Sequence, residues 1–251
     1  MNPAERPHLS VIVPAFNGED RLPASLRDLG EWLDAQPYRS ELLLVDDGSR
    51  APAAKVMDEF AARRPGTRVL RQPENRGKGA GVARGMLEAT GSFRVFIDAD
   101  LAYPPGEIAK MLAALERGSD VAIACRVLPE SRYLMSPSFF HYLYTRHLMS
   151  RVFNLMVRTT LLRDVRDSQA GLKGFTARAA ELVFPRLTIP GFGFDVEALF
   201  IAQSHGLTVQ QVGVFFRYDD EPTTIAFSQS VFRMMADLAR VRRNHLAGRY
   251  R

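Results

Sequence analysis

Apolar residues in the first half of the chain fall into two alternating patterns. "LSVIVPAF" and "ELLLVDDGS" are near-continuous runs of aliphatic residues, as in strands buried on both faces. Between them, "EDRLPASLRDLGEWLDA" repeats leucine every three or four positions and sets Leu22, Leu26, Leu29 and Leu33 on one helical face. The alternation continues. "PAAKVMDEFAARR" predicts a helix, "TRVLRQ" a short strand, "GAGVARGMLEAT" a helix, "FRVFIDAD" a strand, "PGEIAKMLAALERG" a helix and "DVAIACR" a strand. Strand and helix in turn is the pattern of βα units around a sheet, so the expected fold is α/β, with a mostly parallel sheet flanked by helices.

From about Val127 the regularity weakens. An aromatic and basic stretch, "FFHYLYTRHLMSRVFNLMVRTTLL", reads as helical and precedes "DSQAGLKGFT". A helix from about Asp195, a strand pair in "LTVQQVGVFFRY" and a last helix follow. No linker, low-complexity tract or internal repeat interrupts the chain. The expectation is one domain, 1–251, in which 1–126 forms a ligand-binding half and a mixed C-terminal half, 127–251, completes the sheet and a second pocket.

Composition narrows the setting. The chain has 251 residues, of which 46% are hydrophobic and 24% charged, enough to bury a substantial core. A single cysteine, Cys125, excludes an internal disulfide and any Cys-rich metal site, which fits a reducing, cytoplasmic compartment. "MNPAERPHLS" has no apolar core of a signal peptide, and no run reaches about 18 apolar residues, so neither export signal nor spanning helix is expected. The net charge of +5 suits phosphate-bearing ligands or an anionic membrane face. No zinc-finger spacing, basic zipper or RNA-binding aromatic signature is present, so nucleic acid is not an expected partner.

Candidate chemistry gathers where strands end, which is where open α/β sheets bind ligands. Asp46 and Asp47 close the second strand, and at least one should project into the crevice; a cap by Ser49 and a turn at Asp47-Gly48 would explain one acid but not both. "ENRGKGAG" places Lys78 among Gly77, Gly79 and Gly81 just before a helix, a layout that offers backbone N–H groups and one ammonium to an anion, though a plain loop reads the same way. Asp98 and Asp100 follow the fourth strand. In extended chain, residues two apart face the same way, about 6.6–6.8 Å apart, so both would face one site. Like charges at that range are better tolerated with a cation between them, and carboxylates plus phosphate oxygens suit Mg²⁺ or Mn²⁺. The competing reading is a solvated turn before Pro104.

In this order, "VPAFN…VDDGS…NRGKG…DADL…DSQAGLKGF…GFGFDVE" spans nearly the whole chain and resembles the family 2 glycosyltransferases of GT-A fold. Within them it is most similar to polyisoprenyl-phosphate hexosyltransferases, the dolichyl-phosphate glucosyltransferase and mannose synthase branches. The resemblance implies an inverting transferase that uses a nucleotide-diphosphate sugar and a divalent metal. Carried over by position, Pro14, Ala15, Asn17 and Asp46 would hold the nucleoside, and Lys78 would line the same pocket. Asp98 would lie near ribose or sugar, and Asp100 would ligate the metal. Arg126 would meet phosphate, while Gln169, Lys173, Asp195 and Glu197 would shape the sugar and acceptor side.

Departures from the family pattern are Gly18, where an acid is usual, Cys125 for serine, and Ala170 for cysteine. None touches the paired acids. The pattern in "DSQAGLKGF" favours UDP-glucose as donor, with GDP-mannose as the alternative. A polyprenyl phosphate acceptor is already largely anionic at neutral pH and needs no general base, whereas an alcohol would, with Asp195 or Glu197 as candidates. The arginine-bearing helices, with Arg146, Arg151 and Arg158 in one and Arg233, Arg240, Arg242 and Arg243 in the other, fit peripheral contact with the cytoplasmic membrane face; a stripe packed on the core is the alternative. A soluble acceptor and a noncatalytic nucleotide-sugar-binding subunit are the rival functions.

Overall fold

The computed structural model describes residues 6–135, 156–218 and 227–251. Its strands are β1 (Leu9–Ala15), β2 (Ser40–Asp46), β3 (Thr67–Arg71), β4 (Phe93–Ile97), β5 (Val121–Cys125), β6 (Arg132–Met135), β7 (Leu172–Thr176), β8 (Val209–Gly213) and β9 (Phe215–Tyr218). Its helices are α1 (Leu22–Asp34), α2 (Ala51–Arg63), α3 (Lys78–Glu88), α4 (Glu107–Glu116), α5 (Ala177–Val183), α6 (Phe194–Ser204) and α7 (Phe227–Leu246). The helices and strands expected in the first half are all present.

Seven strands form one sheet in the order β3-β2-β1-β4-β7-β5-β8. All pairings in it are parallel except those of β7, which runs antiparallel between β4 and β5. β6 and β9 pair in parallel as a separate ribbon. Every residue of β1 and all of β2 except Ser40 are buried, because helices cover both faces. On one face Val11, Val13, Leu42, Leu44, Val95 and Ile97 pack with Leu22, Leu26, Leu29 and Leu33 of α1 and with Ile108 and Met111 of α4. On the other, Ile12, Val45, Phe96, Ile123 and Phe175 pack with Val82 and Met86 of α3 and with Phe194, Val196 and Leu199 around α6. Each fully buried Leu or Ile contributes about 1.5–3 kcal/mol, so the two layers anchor the strand ends on which any site depends.

Two expectations change, and one alternative falls. The segment "LKGFT" is a strand inside the sheet, β7, where no strand pattern was read, since a lysine and a glycine dilute its apolar run. The paired acids are not extended: β4 ends at Ile97, Asp98 follows it, and Asp100 lies in a turn closed by the Leu101 N–H donating to the Asp98 carbonyl (3.1 Å). Finally, α2 starts without a side-chain cap, and the Ser49 hydroxyl instead accepts from the Asn17 N–H (2.8 Å).

Most of the aromatic and basic stretch expected to be helical, with Arg146 and Arg151, lies outside the described residues, apart from helical residues 156–160 that include Arg158. Arg233 and the side chains of the first part of α7 lie outside them too. Further along α7, Leu238 and Val241 pack into the core while Arg242 and Arg243 are exposed, so this half of the helix follows the core-packing alternative. Among the described residues, no helix is long and apolar enough to cross a membrane.

Candidate active site

The loops after β1, β2, β3 and β4 meet at the carboxyl edge of the sheet. Parallel register fixes who stands beside whom: Pro14 lies beside Val45, Ala15 beside Asp46, and Asp46 beside Arg71. Asn17, with φ of 58°, sends its side-chain oxygen to the Arg50 N–H (3.0 Å), which ties the first loop to the second. Asp46 is buried and accepts from the Ser49 N–H (2.8 Å) and from Arg71 Nε (2.9 Å). Burial opposes its charge, but these donors outweigh it and hold the carboxyl below its usual range. Arg71 also reaches both oxygens of Asp58 and is half-exposed.

Asp47 has a different task. Its carboxylate accepts from Gln72 Nε2 (2.7 Å), the Arg76 N–H (2.8 Å) and the Gly77 N–H (2.9 Å), and so shapes the "NRGKG" turn. Gly77 has φ of 98°, a region that favours glycine, and a Cβ there would sit 2.6 Å from the Pro190 carbonyl oxygen. The turn leads into α3, whose first residue is Lys78.

Lys78 Nζ lies 2.6 Å from Asp98 Oδ1, with its side chain 17% exposed. Burial works against the ammonium, but Asp98, Asp195 and Asp100 outweigh it and raise its pKa. The Asp98 carboxylate can approach β7 only because residue 171 is glycine; a Cβ there would collide with it. Asp100 is exposed, and its Oδ1 accepts from the Ala102 N–H (3.0 Å). Leu101, next to it, has φ of 48°, a costly conformation for a bulky side chain. Strain of this kind concentrates at functional sites.

β7 adds the second ammonium. Lys173 is fully buried, in register with Phe96 on one side and Ile123 on the other. Its Nζ donates to Asp195 Oδ1 and to the Ala170 carbonyl, both at 2.5 Å, and sits 5.4 Å from the centre of the Phe96 ring. Asp195 lies in the first turn of α6 and is 3% exposed. Burial pushes Lys173 below the usual lysine range and Asp195 above the usual carboxylate range, each opposed by its partner. Two ammoniums and three carboxylates, Lys78, Lys173, Asp98, Asp100 and Asp195, therefore act on one another at the end of β4.

Arg126, just past β5, is held in a fork: Nε and Nη2 donate to the two oxygens of the buried Asp167 (2.7 and 2.9 Å), and the Arg126 N–H donates to the same carboxylate (3.0 Å). Burial opposes the Asp167 charge, but Arg126 outweighs it and the carboxyl is held low. Gln169 has a buried side-chain nitrogen with no hydrogen-bond partner among the described residues. That is a costly state which a ligand oxygen would relieve.

Glu197 departs from expectation. It is fully buried, and its two oxygens accept from the Thr188 N–H and hydroxyl, the Ile189 N–H and the Tyr250 hydroxyl, at 2.6–2.9 Å. Both oxygens of that carboxylate are engaged within the protein, away from the crevice. Asp47, Arg71 and Asp167 were not singled out for these tasks from sequence. The doubled acid in "VDDGS" is the signal for the first, whereas Arg71 becomes visible only through its register with Asp46.

Among the described residues, no group of three or more His, Cys, Asp or Glu could hold a metal ion unaided. The exposed Asp100 fits a different mode, in which a hard divalent ion takes one carboxylate and fills its shell from phosphate and water.

The chain is 32% identical to the dolichyl-phosphate beta-glucosyltransferase of Dictyostelium discoideum, over 98% of this chain and 77% of that protein. It is 34% identical to the enzyme of the same name from Drosophila melanogaster, over 97% and 77%. Among solved structures, glucosyl-3-phosphoglycerate synthase from Mycobacterium tuberculosis, in complex with Mn²⁺, UDP-glucose and phosphoglyceric acid, superposes with a TM-score of 0.68 at 21% identity, over 95% of this chain and 80% of that one. The fold is thus that of GT-A glycosyltransferases. The family model for glycosyl transferase family 2 matches residues 10–175, which run from β1 into β7 and carry most of the crevice just described; the chain belongs to that family.

Proposed function

We propose that this protein transfers glucose from UDP-glucose to a polyprenyl phosphate of the dolichyl type, with inversion at the anomeric carbon. The observation that carries the reading is the charge cluster of Lys78, Asp98, Asp100, Lys173 and Asp195 at the end of β4, in a chain whose relatives are dolichyl-phosphate beta-glucosyltransferases over nearly its whole length. Residues 1–126 hold the nucleotide-sugar, and 127–251 supply the acceptor side.

In this reading Pro14, Ala15, Asn17 and Asp46 line the nucleoside pocket, with Asp46 kept ionised by Arg71 and ready to accept from base or ribose. The "NRGKG" turn and Lys78 face the diphosphate. Asp98, which pairs with Lys78, faces ribose and sugar. Asp100 would hold Mg²⁺ or Mn²⁺ together with the diphosphate oxygens. When bound, such an ion stabilises negative charge on the departing nucleoside diphosphate. Arg126, oriented by Asp167, meets phosphate, and Gln169, whose side-chain nitrogen has no partner among the described residues, offers an N–H to a sugar or phosphate oxygen.

A phosphate monoester acceptor, with its second pKa about 6, is already a nucleophile at neutral pH. This matches a site in which Asp195 is locked against Lys173, since no open base is required. Exposed Val127, Tyr133 and Leu134, beside exposed Arg132, give the acceptor side an apolar and basic surface suited to peripheral contact with a bilayer that holds the lipid.

The test is to incubate the protein with UDP-glucose or GDP-mannose, with and without a polyprenyl phosphate and EDTA, following nucleotide release and lipid-extractable sugar. The expected result is metal-dependent glucosyl lipid from UDP-glucose. Mannosyl lipid would change the donor, and release of nucleotide without lipid product would mean a different acceptor. Near-normal turnover by Asp195→Asn with polyprenyl phosphate would argue against a base role for Asp195.

A further inference from the structure

Glu197 lies two residues from Asp195 on α6 but faces away from the crevice chemistry. Its carboxylate binds the backbone N–H groups of Thr188 and Ile189, the Thr188 hydroxyl and the Tyr250 hydroxyl. Asn244, buried near the end of α7, donates to the Thr188 hydroxyl (2.8 Å) and to the Tyr250 hydroxyl (3.4 Å). Burial and the hydrogen bond to Glu197 raise the Tyr250 pKa, so it stays a neutral donor. The loop that this network grips presses directly on the "NRGKG" turn: the Pro190 carbonyl accepts from the Ala80 N–H (3.1 Å), and a Cβ at Gly79 would meet Phe194 Cβ at 2.6 Å and the Ile189 carbonyl at 2.8 Å. A second contact from α7 reaches the same loop, where a Cβ at Gly193 would collide with the Asp237 carboxylate.

The "NRGKG" turn is therefore held from two sides. Asp47 binds the N–H groups of Arg76 and Gly77, and the 188–193 loop backs Gly77, Gly79 and Ala80. Asp47 is near in sequence to the nucleoside pocket. The second support comes from the far end of the chain, through Glu197, Asn244 and Tyr250.

The geometry points to Glu197, Asn244 and Tyr250 as a positioning network that sets the donor turn from behind and tunes donor affinity without touching the donor. This rests on the reading that the turn faces the donor diphosphate. Losing the Tyr250 hydroxyl leaves Glu197 one donor short in a dry site, and the loop relaxes away from the turn. Glu197→Gln is harsher, because its single oxygen can keep the Thr188 and Ile189 N–H groups only by turning its amide NH₂ toward the Thr188 and Tyr250 hydroxyls, which both donate to the carboxylate. The charge that strengthens all four bonds is also gone.

The experiment compares wild type, Tyr250→Phe and Glu197→Gln by hydrogen exchange of the apo protein and by kinetics with UDP-glucose and a polyprenyl phosphate. In Tyr250→Phe, peptides covering 76–81 should exchange faster along with those covering 187–193, and the donor KM should rise about 5- to 10-fold with kcat within about twofold. Glu197→Gln should exceed both effects. Faster exchange confined to 187–193 and 244–251, with an unchanged donor KM, would overturn the inference even if both variants were less stable. Should wild type transfer nothing from any nucleotide-sugar, the proposed reaction fails, and exchange at 76–81 alone decides whether the network reaches the turn.

Discussion

The buried pair of Lys173 and Asp195 gives the sharpest test of the site's electrostatics. Lys173→Met keeps the side chain's length and apolar stem but removes the ammonium that donates to Asp195 and to the Ala170 carbonyl. Asp195, 3% exposed, is then left to a desolvated environment in which Lys78 still favours its charge. Breaking a buried pair from one side costs about 3–5 kcal/mol. An independent bound agrees: the variant can discharge Asp195 by protonation, and lifting a carboxyl from its ordinary pKa near 3.9 to neutrality at pH 7 costs about 4 kcal/mol. Attraction to Lys78 lowers the bill, so we expect about 3 kcal/mol.

The sign with pH follows from the same group. An unpaired, buried Asp195 has its folded pKa above its unfolded value, so the native state binds the extra proton and stability falls as pH rises through that window. Urea unfolding should therefore show the deficit of Lys173→Met shrinking by about 1 kcal/mol between pH 7 and pH 5.5, as protonation becomes the less costly way to keep Asp195 buried. Replacing both partners, Lys173→Met with Asp195→Leu, should return stability to within about 1 kcal/mol of wild type, since the stranded charge is gone. A single variant within about 1 kcal/mol of wild type, or a deficit that does not change with pH, would refute the reasoning.

Other variants address the remaining groups. Asp100→Asn is expected to lower metal-dependent turnover by about two to three orders of magnitude, read as nucleotide release with Mn²⁺; a loss of only a few fold would remove Asp100 as the metal ligand. Gly171→Ala drives a methyl group into the Asp98 carboxylate, so kcat should collapse while the thermal melt still shows one cooperative fold, and unchanged kcat would show that Asp98 is free to stand elsewhere. Asp167→Asn breaks the fork to Arg126 and should cost about 1.5–3 kcal/mol at neutral pH. Because the Asp167 pKa is depressed on folding, its contribution is present above the unfolded pKa near 3.9 and lost as pH falls through the folded value, so the variant should flatten the acid limb of the stability profile. An acid limb as steep as that of wild type would contradict this.

What the sequence could disclose of this site divides by physical cause. The parallel strands were readable because they are buried on both faces, which makes runs such as "LLLVDD" nearly uninterrupted. Their ends then carry acids whose positions follow from the strand pattern, and Asp46 ends β2 and Asp98 follows β4 as that pattern expects. β7 was not readable. It enters between β4 and β5 from a distant part of the chain and carries Lys173 in a fully buried position. A lysine argues against a buried strand unless its counter-charge is known, and that counter-charge, Asp195, arrives on α6 from beyond α5.

The same logic explains the error over Glu197. The resemblance grouped Asp195 and Glu197, two apart in "GFDVE", on the sugar and acceptor side, although a helix was expected to begin there. On a helix they diverge by about 200°, from 3.6 residues per turn, so one acid reaches Lys173 and the other reaches Thr188 and Tyr250. The extended reading of Asp98 and Asp100 failed for a related reason. The strand stops at Ile97, and the strained Leu101 turns the chain so that Asp98 meets Lys78 while Asp100 stays exposed. In both pairs, residue types announced chemistry and backbone conformation assigned the roles. Asp195 and Asp98 carry the buried and half-buried charge balance, Glu197 the scaffold, and Asp100 stays exposed at the same strand end.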